Sequence, residues 1–344
     1  VLDNWPRFNN GYTGGGWPSA VGWAAQSGGL SLGNVVYENG GEGVDFTGTS
    51  SADKRTPHLN VKNVVRNNVI YDNFSVNLYL VSTQGVKAEQ NFVFNHPLDP
   101  TQTFDKLLAL SPAYALDLAR RLVPINVGLG DEPGSSFDSQ AYLSDITLIN
   151  NVVVGAKRGF MDWDDGTVGK GHSLKNCLIA NNTFVLSDET LPDKSDGYGF
   201  LQQSNPATSK NSLIENNIIV TVAEKDDFIR TSFLAAGIPA GITVDYNLYS
   251  GPGRWTVSGA LKSFAAWKTA FPAWDQHSIQ AGGAVGELAE LNLAIAKKPV
   301  YDWSKAKTAD GSPGRGAGTD LSARFNDNFV GAPRARGAFD IGAF

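Results

Sequence analysis

Three carboxylates fall within four residues at Asp162, Asp164 and Asp165, in the stretch DWDDGTVGKGH that also holds Trp163, Lys170 and His172. Oxygen ligands at that density suit a hard cation such as Ca²⁺. Crowded carboxyls can also divide acid and base roles, because a like charge close by raises the pKa of one member. The same composition equally suits a solvated turn, where Asp and Gly supply the backbone geometry. Asp131 and Glu132, in LGDEPGSS, end a neighbouring strand. They are expected to face this group across one rung, roughly 4.8 Å away, with a turn as the competing reading. No serine nucleophile elbow, phosphate loop or dinucleotide fingerprint is present. His58, His96, His172 and His277 are scattered, and no pair has the spacing of metal ligands.

Such groups act together only if a scaffold brings them to one face, and the chain repeats one scaffold phrase. Asn followed by a mostly apolar triplet occurs at Asn34, Asn68, Asn91, Asn151, Asn182, Asn217 and Asn247, at spacings of 34, 23, 60, 31, 35 and 30 residues. A further Asn precedes it at Asn67, Asn150, Asn181 and Asn216. The shortest spacing is one coil of short strands, and the longer ones are a coil plus a loop. A single coil cannot bury its inner face, whereas stacked coils share a continuous core. Asn accepts left-handed backbone at the bend between strands, and identical amides can hydrogen-bond up a stack. The repeats therefore predict an all-β chain folded as a right-handed parallel β-helix. An antiparallel sandwich would need two-residue hairpin loops, which are largely missing.

Two stretches interrupt the repeat. TFDKLLALSPAYALDLARRLVPINVG predicts a helical insertion near 101–122, inside an inserted loop at about 97–140. Phe264, Trp267, Lys268 and Phe271 have helical spacing and stop at Pro272. Residues 1–257 are thus expected to form the coils. Residues 258–344 are expected to add a helix and an irregular tail that cap the open end, where bare strand edges would recruit other chains.

With the second strand of each coil in register, GVDFTG, SVNLYL, INVGLGDE, GFMDWDD, GYGFLQQ and DFIRTS lie side by side. Alternation then sends Val44, Phe46, Leu78 and Leu80 inward. It sends Asp45, Asn77, Tyr79, Asn126, Asp162, Asp164, Gln202 and Arg230 outward, as one polar strip with an aromatic group.

The 344 residues are 42% hydrophobic and carry a net charge of −6 with no basic cluster, which argues against nucleic acid and anionic membranes as main partners. No apolar run approaches the ~20 residues of a membrane span. The start, VLDNWPRFNNG, has neither the basic nor the apolar part of a signal peptide, so the chain is expected to be a mature or trimmed product of a longer precursor. The single Cys177 lies in an apolar strand and is expected to be a buried thiol.

NGGEGVDF, YDNFSVNLYLVSTQGVKAEQNFVF and the ending SFAAWKTAFPAWDQHSI…DGSPGRGAGTDLS…GAPRARGAFDIGAF resemble secreted bacterial right-handed parallel β-helix repeat proteins, the broad pectate-lyase-like group. The resemblance covers nearly the whole chain and is specific for fold. It implies a secreted or cell-surface location and a polysaccharide as partner, the group including lyases and glycosidases. Glu42 resembles a Glu of the alginate-lyase-like members, but the coil that should supply their Lys reads LVSTQG. The resemblance does not take in the group's usual N-terminal strands and cap, which are expected to belong to the longer precursor.

The expected function is cleavage of an extracellular polysaccharide, by glycoside hydrolysis or by Ca²⁺-dependent elimination. Asp162, Asp164 and Asp165 are the expected catalytic residues and metal ligands. Asp45, Asn77, Tyr79, Glu132, Trp163, Gln202 and Arg230 are the expected substrate contacts. The alternative is a noncatalytic β-helical surface, adhesin, appendage or carbohydrate-binding scaffold. Arg120 and Arg121, and one of Trp5, Trp17 and Trp23, are further candidates for sugar contact.

Overall fold

The computed structural model describes residues 19–24, 27–37, 39, 41–47, 62–73, 75–81, 83–96, 125–131, 143–156, 158–164, 174–186, 197–202, 209–231, 241–285 and 303–344. Short strands alternate with sharp bends, and the chain visits three sheets in rotation. One turn runs from Glu42–Thr47 in the first sheet to Asn63–Arg66 in the second and Val69–Tyr71 in the third. The next strand, Val76–Val81, returns to the first sheet beside Glu42–Thr47. Among the described residues the sheets hold nine, seven and eight strands. Within these sheets the described pairing is parallel except where Arg254–Val257 meets Ala260–Lys262 in an antiparallel hairpin. This is the expected parallel β-helix.

The two Asn residues of each repeat do different work. The first bends the chain: Asn67, Asn150, Asn181 and Asn216 all have φ between 53° and 57°. Gly33, Gln90 and Tyr246 take the same left-handed place in other coils, so the position tolerates more than Asn. The second points inward and makes a ladder. Asn34 Nδ2 donates to Asn68 Oδ1 at 3.0 Å, and the pattern continues through Asn91, Asn151, Asn182 and Asn217 to Asn247. The backbone N–H of Asn247 then donates to Ser278 Oγ at 2.8 Å, which ends the stack. Each internal amide also donates to a strand carbonyl, as Asn182 does to Leu148 at 2.9 Å. Buried bend groups that would otherwise lack partners are thereby satisfied.

Between sheets, the inward column of the first runs Val44, Leu78, Val127, Phe160, Phe200, Ile229 and Trp255. All belong to one buried cluster. Cys177 is buried in the same cluster, as expected, and burial pushes its thiol up to about 12.

The end closure expected of residues 258–344 is divided between two pieces. The helix Phe264–Ala270, capped by Ser263, brings Trp267 onto the end of the core, where Phe271 and Trp274 join it. Asp275, fully buried, accepts from Trp267 Nε1, Tyr249 Oη and Ser278 Oγ. Residues 303–344 instead run along the side. Phe329, Ile341 and Ala343 cover the outer face of the third sheet, while Leu321, Phe325 and Phe339 cover that of the second. Side chains at four successive bends hold this strap: Gln90 and Asn150 bond Asp327, Asn181 bonds the carbonyls of Asp340 and Gly342, and Asn216 bonds Thr319. Arg334 bolts it down, donating to Asn150 Oδ1 at 2.7 Å and to the carbonyls of Asp327, Asp340, Gly342 and Phe344. Burial lowers its pKa to about 10, which leaves it charged at neutral pH.

The predicted insertion near 101–122 and Arg120 and Arg121 lie outside the described residues, as do Trp5, Trp17 and His58. Replacing Asn182 by Ala removes the acceptor of the Asn151 amide and three donated bonds. The variant is expected to lose about 2–4 kcal/mol, read as a lowered urea midpoint with secondary structure retained below it.

Candidate functional site

The outer face of the first sheet is built by register. Its outward column runs Gly22, Asp45, Tyr79, Gly128, Met161, Leu201, Arg230 and Thr256. Asp45, Tyr79 and Arg230 therefore share one line, as the strip requires. Asp162 does not. It pairs with Leu129, in the inward column of Phe46 and Leu80, and is fully buried. Phe160 sets this phase by stacking inside the core on Phe200, centroids 4.5 Å apart, so that Met161 faces out and Asp162 faces in. Gln202 pairs with Asp162 in register, one position from the line of Asp45, Tyr79 and Arg230.

Asn77 is displaced for a different reason. A local irregularity at the corner between the third and first sheets turns it and Asn126 inward. Asn77 accepts from Asn73 Nδ2 at 2.8 Å and donates to Asn126 Oδ1 at 2.9 Å, with Asn95 also donating to Asn126. Both are fully buried, and they form a second amide ladder in place of a substrate contact. Asp165, Glu132, Lys170 and His172 lie outside the described residues, as do the side chains of Trp163, Asp164 and Gln202. From its inward position Asp162 does not fit an outer-face calcium site with Asp164 and Asp165. Among the described residues no group of three or more His, Cys, Asp and Glu side chains is placed to hold a metal ion.

What the face carries divides along the helix. At the first coils Glu42 and Asp45 are buried, and Ser19 Oγ lies 3.1 Å from Glu42 Oε2 and 3.0 Å from Asp45 Oδ2. Thr47 Oγ1 also donates to Asp45. Tyr79 then folds over the next strand. A Cβ at Gly128 would lie 2.8 Å from its ring, so the glycines of GLG are needed beneath it. Tyr79 is itself only 2% exposed, packed with Val76 and Val81, and offers little surface for stacking a sugar.

The later coils carry a cationic cluster of which only Arg230 belongs to the expected set. Arg158, Tyr198, Asp227 and Arg254 occupy one register column, and Arg230 and Thr256 the next outward one. The Arg158 and Arg230 guanidinium carbons lie 5.8 and 5.5 Å from the centroid of the Tyr198 ring. Asp227, fully buried, accepts from Arg230 Nε at 2.5 Å, Arg254 Nε at 3.2 Å and Thr256 Oγ1 at 2.7 Å. Arg230 and Arg254 keep 28% and 26% of their side-chain surface in solvent. Two guanidiniums on the Asp227 carboxylate and a third beside Tyr198 leave a cationic surface with planar donors, suited to carboxylate groups. The signal was present in the strand openings RGF, YGF, DDFI and RWT, whose polar residues align once the inward aromatic or apolar residue is matched.

The chain matches no protein-family model and no curated protein. No described helix is long and apolar enough to cross a membrane.

The carboxylates with raised pKa lie away from this face. Burial raises Asp275 to about 6, against the three bonds it accepts. Burial, then the neighbouring Asp245, raises Glu215 on the second sheet from 4.5 to about 7, with Arg324 opposing. A proton held more tightly by the folded state stabilises it fully below pH 4.5, and that contribution is lost as pH rises through about 7. Glu215→Gln is therefore expected to match the parent near pH 4 and to exceed its stability at pH 8 by on the order of 1–3 kcal/mol, measured by urea unfolding at both pH values.

Proposed function

We propose that this is a secreted or cell-surface carbohydrate-active protein of the pectate-lyase-like kind, and that it engages an acidic polysaccharide along the outer face of its first sheet. The observation that carries the reading is the convergence of Arg158, Arg230 and Arg254 around Tyr198 and Asp227 on that face. A uronate chain lying along the helix axis would set its carboxylates on the guanidiniums. Neutralising a uronate carboxylate acidifies the C5 proton, so this surface suits elimination better than hydrolysis, which needs a pair of carboxyls across the bond. Calcium enters as a condition to be tested, with Asp165 as a candidate ligand and Asp164 in the same alternation phase as Asp162.

A noncatalytic carbohydrate-binding scaffold is the second reading, favoured by one observation. Asp45 and Asp227 are each engaged by neighbouring side chains, which suits a binding surface more than an acid–base pair.

Polygalacturonate, alginate and a neutral glucan, each with and without calcium, separate these readings. Binding is followed by calorimetry, and cleavage by ultraviolet absorbance of unsaturated ends alongside reducing ends. The two polyuronates are expected to bind and the glucan not to bind on this face. Arg158→Gln and Arg230→Gln are each expected to weaken polyuronate binding about 5- to 20-fold and to flatten its salt dependence. Unsaturated products would establish a lyase, and binding without products the scaffold. Unchanged binding in both variants would sink the acidic-polysaccharide reading.

A further inference from the structure

The outer face of the second sheet carries a polar recess of about 490 Å³, lined by Asn176, Asn211, Leu213, Thr243 and, from the strap, Arg324. Leu213 and Thr243 are partners in register, and two residues further along the same strands Glu215 pairs with Asp245. Alternation places all four on one face, so the two carboxylates continue the wall that Leu213 and Thr243 begin.

These two carboxylates are not equivalent. Asp245 is committed: it accepts the backbone N–H of His277 at 2.7 Å, and its other oxygen lies 2.7 Å from His277 Nδ1. The ring of His277 stacks on Tyr246. Glu215 is only 8% exposed, and its carboxyl makes no hydrogen bond among the described residues. A carboxyl this little exposed carries a desolvation cost, which a hydrogen-bonding ligand in the recess would offset. Arg324, which lines the recess, acts on it electrostatically without bonding it.

We propose that this recess is a second carbohydrate site, taking an uncharged mono- or disaccharide unit of a glycan. The chemistry of its wall selects the ligand. Amides at Asn176 and Asn211, the Thr243 hydroxyl and the Arg324 guanidinium line it around the apolar Leu213 side chain, and the Glu215 carboxyl lies two residues further along the Leu213 strand on the same face, so donors and acceptors stand together. Sugar hydroxyls use both kinds of group, and the apolar patch suits the C–H face of a ring. Arg324 is offset by the Glu215 carboxyl, and Asp245 is held by His277, so the wall carries charges of both signs and selects no ion. The volume falls in the range of small-ligand pockets. The site lies on a different sheet from the arginine cluster and does not depend on it.

The test is calorimetric titration of the whole chain with four neutral trisaccharides: cellotriose, maltotriose, mannotriose and xylotriose. At least one is expected to bind saturably. Thr243→Trp fills the recess from an exposed position and is expected to abolish that binding, while Glu215→Ala weakens it about tenfold. Circular dichroism confirms that each variant is folded, and Glu215→Ala decides if Thr243→Trp is not. Arg230→Gln, on the first sheet, is expected to leave trisaccharide binding unchanged. The proposal is overturned if no trisaccharide binds, if binding survives both recess substitutions, or if it is lost with Arg230→Gln instead. Loss of polyuronate binding in Arg230→Gln with trisaccharide binding intact would separate the two sites.

Discussion

Everything in this molecule rests on the need to satisfy backbone groups at a buried bend. A coil must turn sharply between its second and third strands, and the turn places N–H and C=O groups where water does not reach. The inward amide of each repeat meets that need by accepting from the rung below and donating to a strand carbonyl. Because the ladder allows only one vertical alignment, it also sets the register of the strands that follow. The inward column of the first sheet, and hence the face opposite it, inherits its order from the Asn stack.

That dependence explains what could be read from the residues. The Asn triplets announce the ladder rung by rung, since a repeated chemical requirement leaves a repeated phrase. The helix at 264–270 was legible from spacing and its proline stop. The outer strip was legible only in part. Asp45, Tyr79 and Arg230 lie on one line because clean alternation runs through their strands. Asn77 fell out because corners do not alternate, and a polar residue there feeds an internal ladder. Asp162 fell out because the polarity of GFMDWDD suggests an outward carboxylate, while the phase is set by Phe160 and its stacking partner forty residues later, Phe200. Hydrophobicity alone does not carry that information, since a buried Asp is rare enough that pattern reading argues against it.

The arginine cluster teaches the converse. None of Arg158, Arg254 and Asp227 stands out locally, and each opens a different strand. Only parallel stacking, with partners roughly 4.8 Å apart, converts one residue per coil into a contiguous surface. A β-helix therefore writes its binding faces across the sequence at coil intervals, and such a face is invisible to any search for a compact motif. The two faces described differ accordingly: one gathers guanidiniums, the other a mixed set of amide, hydroxyl and carboxyl groups.

The strap changes how the solenoid holds together in time. Stacked coils alone behave nearly as a one-dimensional chain, in which each unit answers only to its neighbours and an end can fray without the middle noticing. Here Gln90 is tied to Asp327 across 237 residues and Asn150 to the same residue across 177. Those ties couple early coils to a segment far along the chain. Until that segment arrives, Phe92, Phe94, Val152 and Val154 present an uncovered apolar flank. Once it closes, one segment is held at four successive bends. The geometry converts a modular stack into a cooperative body, with closure waiting on residues 303–344 and a correspondingly high entropic barrier to assembly.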